Sequence, residues 1–206
     1  MTLSLRLWQK NQDLAEACLH HPFVQGICDG TLERRRFAYF VGQDAFFLEA
    51  FARAYTLAGV KSPDWDGFCA LHRLTKGVLD ELRLHGKYAE AWDVDITSVT
   101  PTTATRTYTD FVLNTAWSDA CGTTVAALSP CMRLYAWLGQ SLAATNPADH
   151  DYRDWIRTYS DPEIENLAVE LEGLTDRYAE DSRKVHDTYR YAMQCELGFF
   201  EAAWRS

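Results

Sequence analysis

The segment from Phe37 to Tyr55, FAYFVGQDAFFLEAFARAY, constrains the fold more than any other part of the chain. Phe37, Phe40, Val41, Phe47, Leu48, Phe51 and Tyr55 recur at helical spacing, which predicts a helix packed on a core. No run elsewhere alternates apolar and polar residues convincingly, so the expected fold is an all-α bundle, a single domain over residues 1–206 without repeats. One carboxylate interrupts the aromatic row. Asp44 lies one turn from Phe40, Phe47 and Leu48, so a carboxylate, the Gln43 amide and a ring can line one cavity. Burying an unpaired charge costs on the order of several kcal/mol, which a pocket for a polar ligand would offset. The competing reading has Asp44 facing solvent or paired with Arg36 or Arg53.

Composition narrows the class of function. A formal net charge of -9 and a pI of about 5.1 supply no electrostatic footprint for nucleic acid or anionic lipid. The 206 residues suffice for one sizeable core, and an aromatic content of 13% favours large contacts or a planar ligand. Six cysteines, at 18, 28, 69, 121, 131 and 195, form no CxxC pair and read as reduced, cytosolic thiols. The N-terminus turns polar after Trp8, and no apolar run approaches the roughly 18 residues of a membrane span. The expectation is a soluble cytoplasmic protein without a membrane partner.

Along the chain, residues 3 to 20 carry an imperfect helical stripe of Leu5, Trp8, Leu14 and Cys18 that stops before His20-His21-Pro22. Phe23 to Ile27 reads as a short helix and Cys28-Asp29-Gly30-Thr31 as a turn. The aromatic helix is expected to end near Gly59. Ser62-Pro63-Asp64 then starts another through Leu84 and His85, with Phe68, Leu71, Leu74, Val78 and Leu82 as its apolar row. Gly86 to Pro101 is expected to be a surface loop. Thr102 or Thr103 caps a helix through Trp117, and Thr123 to Ala143 forms another with Pro130 inside it and Asn146-Pro147 at its end. Tyr152 to Tyr159 is a shorter helix, and Asp161-Pro162 starts a helical remainder to Trp204.

Two further spots carry chemistry. Pro130 removes a backbone donor and clashes one turn back, so the helix should bend where Cys131 appears and open the thiol to a cavity. Tyr135, four residues on, shares that face. The alternative is that Cys131 is a small buried hydrophobe. In the stretch from Tyr189 to Trp204, Glu196 stands among Phe199, Phe200 and Trp204. A carboxyl in such surroundings is pushed toward neutral pKa and suits acid and base work; the alternative is a partly exposed helix face. Histidines at 20, 21, 72, 85, 150 and 186 show no ExxH or HExxH spacing, so no metal is expected. A Gly-rich phosphate loop and a GxSxG elbow are both missing from the sequence.

HPFVQGICDGTL (21 to 32), FAYFVGQDAFFL (37 to 48), LSPCMRLYAWLG (128 to 139), WIRTY (155 to 159) and ELGFFEAAW (196 to 204) resemble, in order and spacing, the TenA/thiaminase II family. The resemblance spans nearly the whole chain. It implies a haem-oxygenase-like helical bundle with no haem or other cofactor, usually assembled as a homotetramer. The implied activity is hydrolysis of an aminopyrimidine to hydroxymethylpyrimidine in thiamin salvage, with thiamin itself cleaved by many members. Carried to this sequence, it makes Cys131 the nucleophile toward the pyrimidine ring and Glu196 the acid and base at a ring nitrogen. Asp44 would bind the exocyclic amine, Phe47 and Phe199 would be the walls on which the ring stacks, and Tyr108, Tyr135 and Tyr159 would hydrogen-bond around thiol and substrate. Glu81 stands where the family tends to carry a Glu, as a second pocket acid, or else on a solvated helix face beside Arg83.

One stretch departs from that pattern. KYAEAWDVDITSVTP (87 to 101) looks more like a branch that lacks the cysteine and acts on other salvage intermediates, such as an N-formyl-aminopyrimidine. Two alternatives belong to other classes: a non-catalytic pyrimidine-binding protein, and a metal oxidase on a haem-oxygenase-like fold.

Overall fold

The computed structural model describes residues 1–92, 94–95, 98–145 and 149–206; the side chains of 83–88 and 91 lie outside that description. The fold is all-α. Its helices are α1 (Leu3–Lys10), α2 (Gln12–Leu19), α3 (Pro22–Asp29), α4 (Arg34–Val60), α5 (Trp65–Ala91), α6 (Thr103–Ser118), α7 (Cys121–Ala144), α8 (Arg153–Ser160), α9 (Pro162–Tyr178) and α10 (Arg183–Arg205).

Local chemistry explains the boundaries that the apolar pattern misses. The N-terminal stripe is two helices because Asn11 interrupts it: its side-chain amide donates to the Leu7 carbonyl at 2.8 Å and its backbone N–H to Trp8 at 3.0 Å. The buried face continues across the break through Leu3, Leu7, Asn11, Ala15 and Cys18, while Leu5 is exposed. α3 starts on the His21 ring, which accepts from the Phe23 N–H, and ends at Gly30, whose φ of 78° lies in the left-handed region. α9 opens as expected, with Asp161 accepting from the Glu163 N–H at 2.8 Å and Pro162 in the first turn. The C-terminal remainder splits there too, since Ser182 caps a separate α10.

The surface loop expected from Gly86 is a correction. α5 continues to Ala91, and Trp92 is buried against Phe37 and Tyr152, with ring centroids 4.5 and 5.3 Å apart. A glycine inside a helix costs only about 1 kcal/mol, less than burying an indole returns. At the far end, the buried Gln43 amide holds the segment, donating to the Thr100 carbonyl at 3.1 Å and accepting from the Thr102 N–H at 3.0 Å and the Thr105 hydroxyl. Residues 93, 96 and 97 of that segment, and Asn146-Pro147, lie outside the described residues.

Two apolar clusters form the interior. One gathers Phe23, Phe37, Phe40, Leu134, Trp155, Met193 and Phe200; the other gathers Phe47, Phe51, Tyr55, Leu71, Tyr108, Leu128 and Leu171. α4, α7 and α10 contribute to both. α7 packs on α8, α9 and α10, with Arg133 pinning it to α9 through paired bonds of 2.7 Å to Glu172 and 2.9 Å to Glu165. α8 presses so close to α7 that a β-carbon on Gly139 would lie 2.2 Å from the Tyr159 carbonyl carbon. Gly139→Ala is expected to cost about 2 kcal/mol or more through that overlap, read as a lower Tm. An unchanged Tm would show that α8 is not held at this spacing.

Candidate active site

The seam between the two clusters carries the polar groups. On α4, Phe37, Phe40 and Val41 belong to one cluster and Phe47, Leu48 and Phe51 to the other, and Asp44 falls between them. On α7, Leu128 and Leu134 divide the same way around Cys131, which packs against both. On α10, Glu196 stands between Ala192 and Phe199, again one from each. A cavity of about 350 Å³ opens along this seam, at the low end of the roughly 300–1,000 Å³ of small-molecule sites. Asp44, Phe47, Glu81, Tyr108, Cys131, Tyr135, Tyr159, Glu196 and Phe199, the residues singled out from sequence, all line it.

Asp44 is 9% exposed and Glu196 2%, so neither acid faces bulk solvent. Arg36 is engaged elsewhere, paired with Glu33 and stacked over Trp204 at 3.7 Å, and Arg53 is exposed. Gln43, expected in the cavity beside Asp44, instead spends its amide on the Thr100–Thr105 segment. Glu196 accepts a 2.6 Å bond from the Tyr108 hydroxyl, and the Cys131 thiol lies close enough to influence its ionisation. Burial raises Glu196 to about 7, opposed by the Tyr108 bond and the nearby Cys131 thiol and reinforced by the charge of Asp44. Burial, with the charges of Glu196, Asp44 and Glu81, pushes the Cys131 thiol well above its ordinary range. At neutral pH the sulfur therefore keeps its proton, near a carboxyl that titrates in the same region. Glu81 is exposed overall, yet desolvation on the cavity wall and the Asp44 charge raise it to about 7 as well.

The aromatic walls have a definite geometry. Phe47 lies 4.6 Å from Tyr108 and 6.3 Å from Phe199, the latter pair tilted at 52°. A flat ring sandwiched between two faces needs them parallel and about 7 Å apart, twice the carbon contact distance. Stacking between Phe47 and Phe199 thus requires one ring to turn. Tyr135 and Tyr159, also on the cavity wall, meet at 4.9 Å. The lining also includes residues without a sequence signal of function: Tyr55, Leu74, Val78, Met132, Ile164 and Leu167. Tyr55 reads as one more member of the apolar row, and the α9 residues are ordinary core positions.

Among the described residues no group of three or more His, Cys, Asp or Glu side chains is placed to hold a metal, and no helix is long and apolar enough to cross a membrane. The His85 side chain lies outside them. All six cysteines are free.

The chain is similar to known proteins over nearly its whole length. Residues 8–206 match the family model described as the TENA/THI-4/PQQC family. An aminopyrimidine aminohydrolase of Halalkalibacterium halodurans is 30% identical over 99% of this chain and 96% of its own length, and one of Helicobacter pylori is 30% identical over 100% of both. The mitochondrial bifunctional TH2 protein of Arabidopsis thaliana is 32% identical over 96% of this chain, which spans only 36% of that protein. A solved TenA homologue of P. horikoshii OT3 superposes with a TM-score of 0.92 at 25% identity, covering 100% of this chain and 99% of that one. Haem oxygenase-1 of Synechocystis superposes with a TM-score of 0.65 at 17% identity over 98% of this chain and 92% of its own, a likeness of fold alone. The chain belongs to the TENA/THI-4/PQQC family.

Proposed function

We propose that the protein is an aminopyrimidine aminohydrolase of thiamin metabolism, converting an aminomethylpyrimidine to hydroxymethylpyrimidine and cleaving thiamin at the same bond. The observation that carries this reading is that Cys131 and Glu196 stand together on the wall of an aromatic cavity that also holds the buried Asp44. The names of the full-length relatives support it.

In this reading Glu196 takes the thiol proton as the sulfur adds to a ring carbon, and returns it to the adjacent ring nitrogen. A thiol held protonated by burial needs such a base, and the neighbouring Glu196 carboxylate supplies one. Tyr108 fixes the carboxylate for both transfers. The adduct then expels the group on the exocyclic methylene, the C–N electron pair leaving with nitrogen. Water adds to the methylene carbon and gives up a proton, and the C–S bond breaks with its electrons returning to sulfur, which regains its proton through Glu196. Asp44 accepts from the exocyclic amine and so fixes which face of the ring meets the sulfur. Glu81 binds at the cavity edge, and Phe47, Phe199, Tyr135 and Tyr159 enclose the ring.

Steady-state hydrolysis of the aminomethylpyrimidine by wild type and Asp44→Asn tests the assignment. Loss of a charge-assisted hydrogen bond predicts a KM raised roughly 10–100-fold. Turnover by neither protein, with tight pyrimidine binding by the wild type, would select a binding protein instead.

A further inference from the structure

α6 is held to α4 at both ends. At the close of α4, the Lys61 ammonium donates to the Ala116, Trp117 and Asp119 carbonyls at 2.7, 2.7 and 2.9 Å and so satisfies the C-terminal end of α6. At the N-terminal end the helix does not cap itself: among the described residues, the Thr102 hydroxyl bonds no first-turn N–H. The Gln43 amide reaches across from α4 instead. Its oxygen accepts from the Thr102 N–H at 3.0 Å and from the Thr105 hydroxyl, and its nitrogen donates to the Thr100 carbonyl at 3.1 Å. Gln43 is 2% exposed and Thr105 1%, so these bonds lie away from solvent, where they hold geometry firmly. Thr105 stands three residues before Tyr108, and both are buried on one face of α6. Tyr108 packs on Phe47 of α4 at 4.6 Å and donates its 2.6 Å bond to Glu196.

We infer that Gln43 is a positioning residue for the reaction: by holding the first turn of α6 through Thr102 and Thr105, it sets Tyr108 where its hydroxyl reaches Glu196. What Glu196 does in the reaction rests on the hydrolase reading, whereas the placing of Tyr108 does not. α4 then carries two neighbours with separate tasks, Asp44 toward the cavity and Gln43 toward α6. Releasing the clamp lets the start of α6 shift, and a hydrogen bond weakens steeply as its geometry is lost. The Tyr108 bond opposes the burial that raises Glu196, so its loss moves that carboxyl further up from about 7. Cys131 and Tyr135 on α7, Cys195 on α10 and Cys18 on α2 also sense the Glu196 charge. Burial holds all four, and Tyr108 with them, above their ordinary ranges, so none of them titrates near neutral pH. Asp44 on α4 adds a like charge, and Glu81 on α5 itself titrates at about 7.

Gln43→Leu would strip every bond of the clamp and endanger the fold, so the test uses Thr105→Val, which keeps the shape without the hydroxyl, and Thr105→Ser, which keeps the hydroxyl. Protonation of Glu196 is followed against pH by the infrared band of its carboxyl, assigned by its loss in Glu196→Gln so that Glu81 is not counted. Thr105→Val is expected to move the midpoint up by about one pH unit and the rising limb of kcat/KM with it, a fall of about fivefold at pH 7 and less than about twofold at pH 9. Thr105→Ser is expected to match the wild type, and in a Tyr108→Phe background Thr105→Val should move the midpoint no further. A midpoint unmoved by Thr105→Val whatever its Tm, moved as far by Thr105→Ser, or moved equally with and without the Tyr108 hydroxyl would overturn the inference. If the wild type turns over no pyrimidine, the hydrolase reading falls and the infrared midpoints alone decide the clamp. A shift in Thr105→Val that Tyr108→Phe abolishes upholds it, and no shift rejects it.

Discussion

Cys131→Ser is expected to lower turnover by at least about 10³-fold while leaving the fold intact. The argument is positional. Cys131 is in contact with both apolar clusters, on a helix that runs through Pro130 without ending, and it lines the cavity near Glu196. A serine hydroxyl fits that space, so packing is preserved; an alkoxide, however, is far harder to generate beside three acids than a thiolate. Circular dichroism and Tm separate the outcomes, because a large fall in Tm would make the loss of rate structural. Retained turnover in a folded variant would remove Cys131 from the mechanism.

Glu196→Gln should give the second large effect, in opposite directions for activity and stability. A carboxyl raised from 4.5 to about 7 leaves the folded protein holding a proton that the unfolded chain has released between those values. Stability therefore falls as pH climbs through that window, by roughly 3 kcal/mol once the group is ionised. The glutamine variant escapes this, so its Tm at pH 8 should exceed that of the wild type, with the advantage absent at pH 4. Its rate should drop by about 10²-fold or more with the loss of the proton carrier. In the wild type kcat/KM should rise as pH passes about 7 and Glu196 becomes able to accept the thiol proton, a limb that the variant lacks. Equal pH profiles in the two proteins would assign the proton transfer elsewhere.

The sequence makes the site more legible than the path of the chain around it. Asp44, Cys131 and Glu196 are each visible as a chemical group set in an apolar or strained stretch, and the structure places all three on one cavity. Helix existence is equally legible, because periodicity over long apolar rows survives local irregularity. Ends and interruptions are not. Asn11 breaks the first stripe through a side-chain bond to Leu7 that no pattern encodes, and α5 runs past Gly86 because the buried Trp92 beyond it outweighs helix propensity. Gln43 was expected in the cavity since it neighbours Asp44, yet adjacent helix positions point about 100° apart, and its amide meets another segment. Tyr55 shows the limit from the other side: a phenol in an apolar row reads as core, and the structure buries it there on the cavity wall.

The most direct test offers thiamin, the aminomethylpyrimidine and its N-formyl derivative side by side to wild type and Cys131→Ser, and follows release of hydroxymethylpyrimidine. The account predicts product from the wild type with at least one of the three and none above background from the folded variant. Product from both proteins at similar rates, or from neither with any of the three, would contradict it.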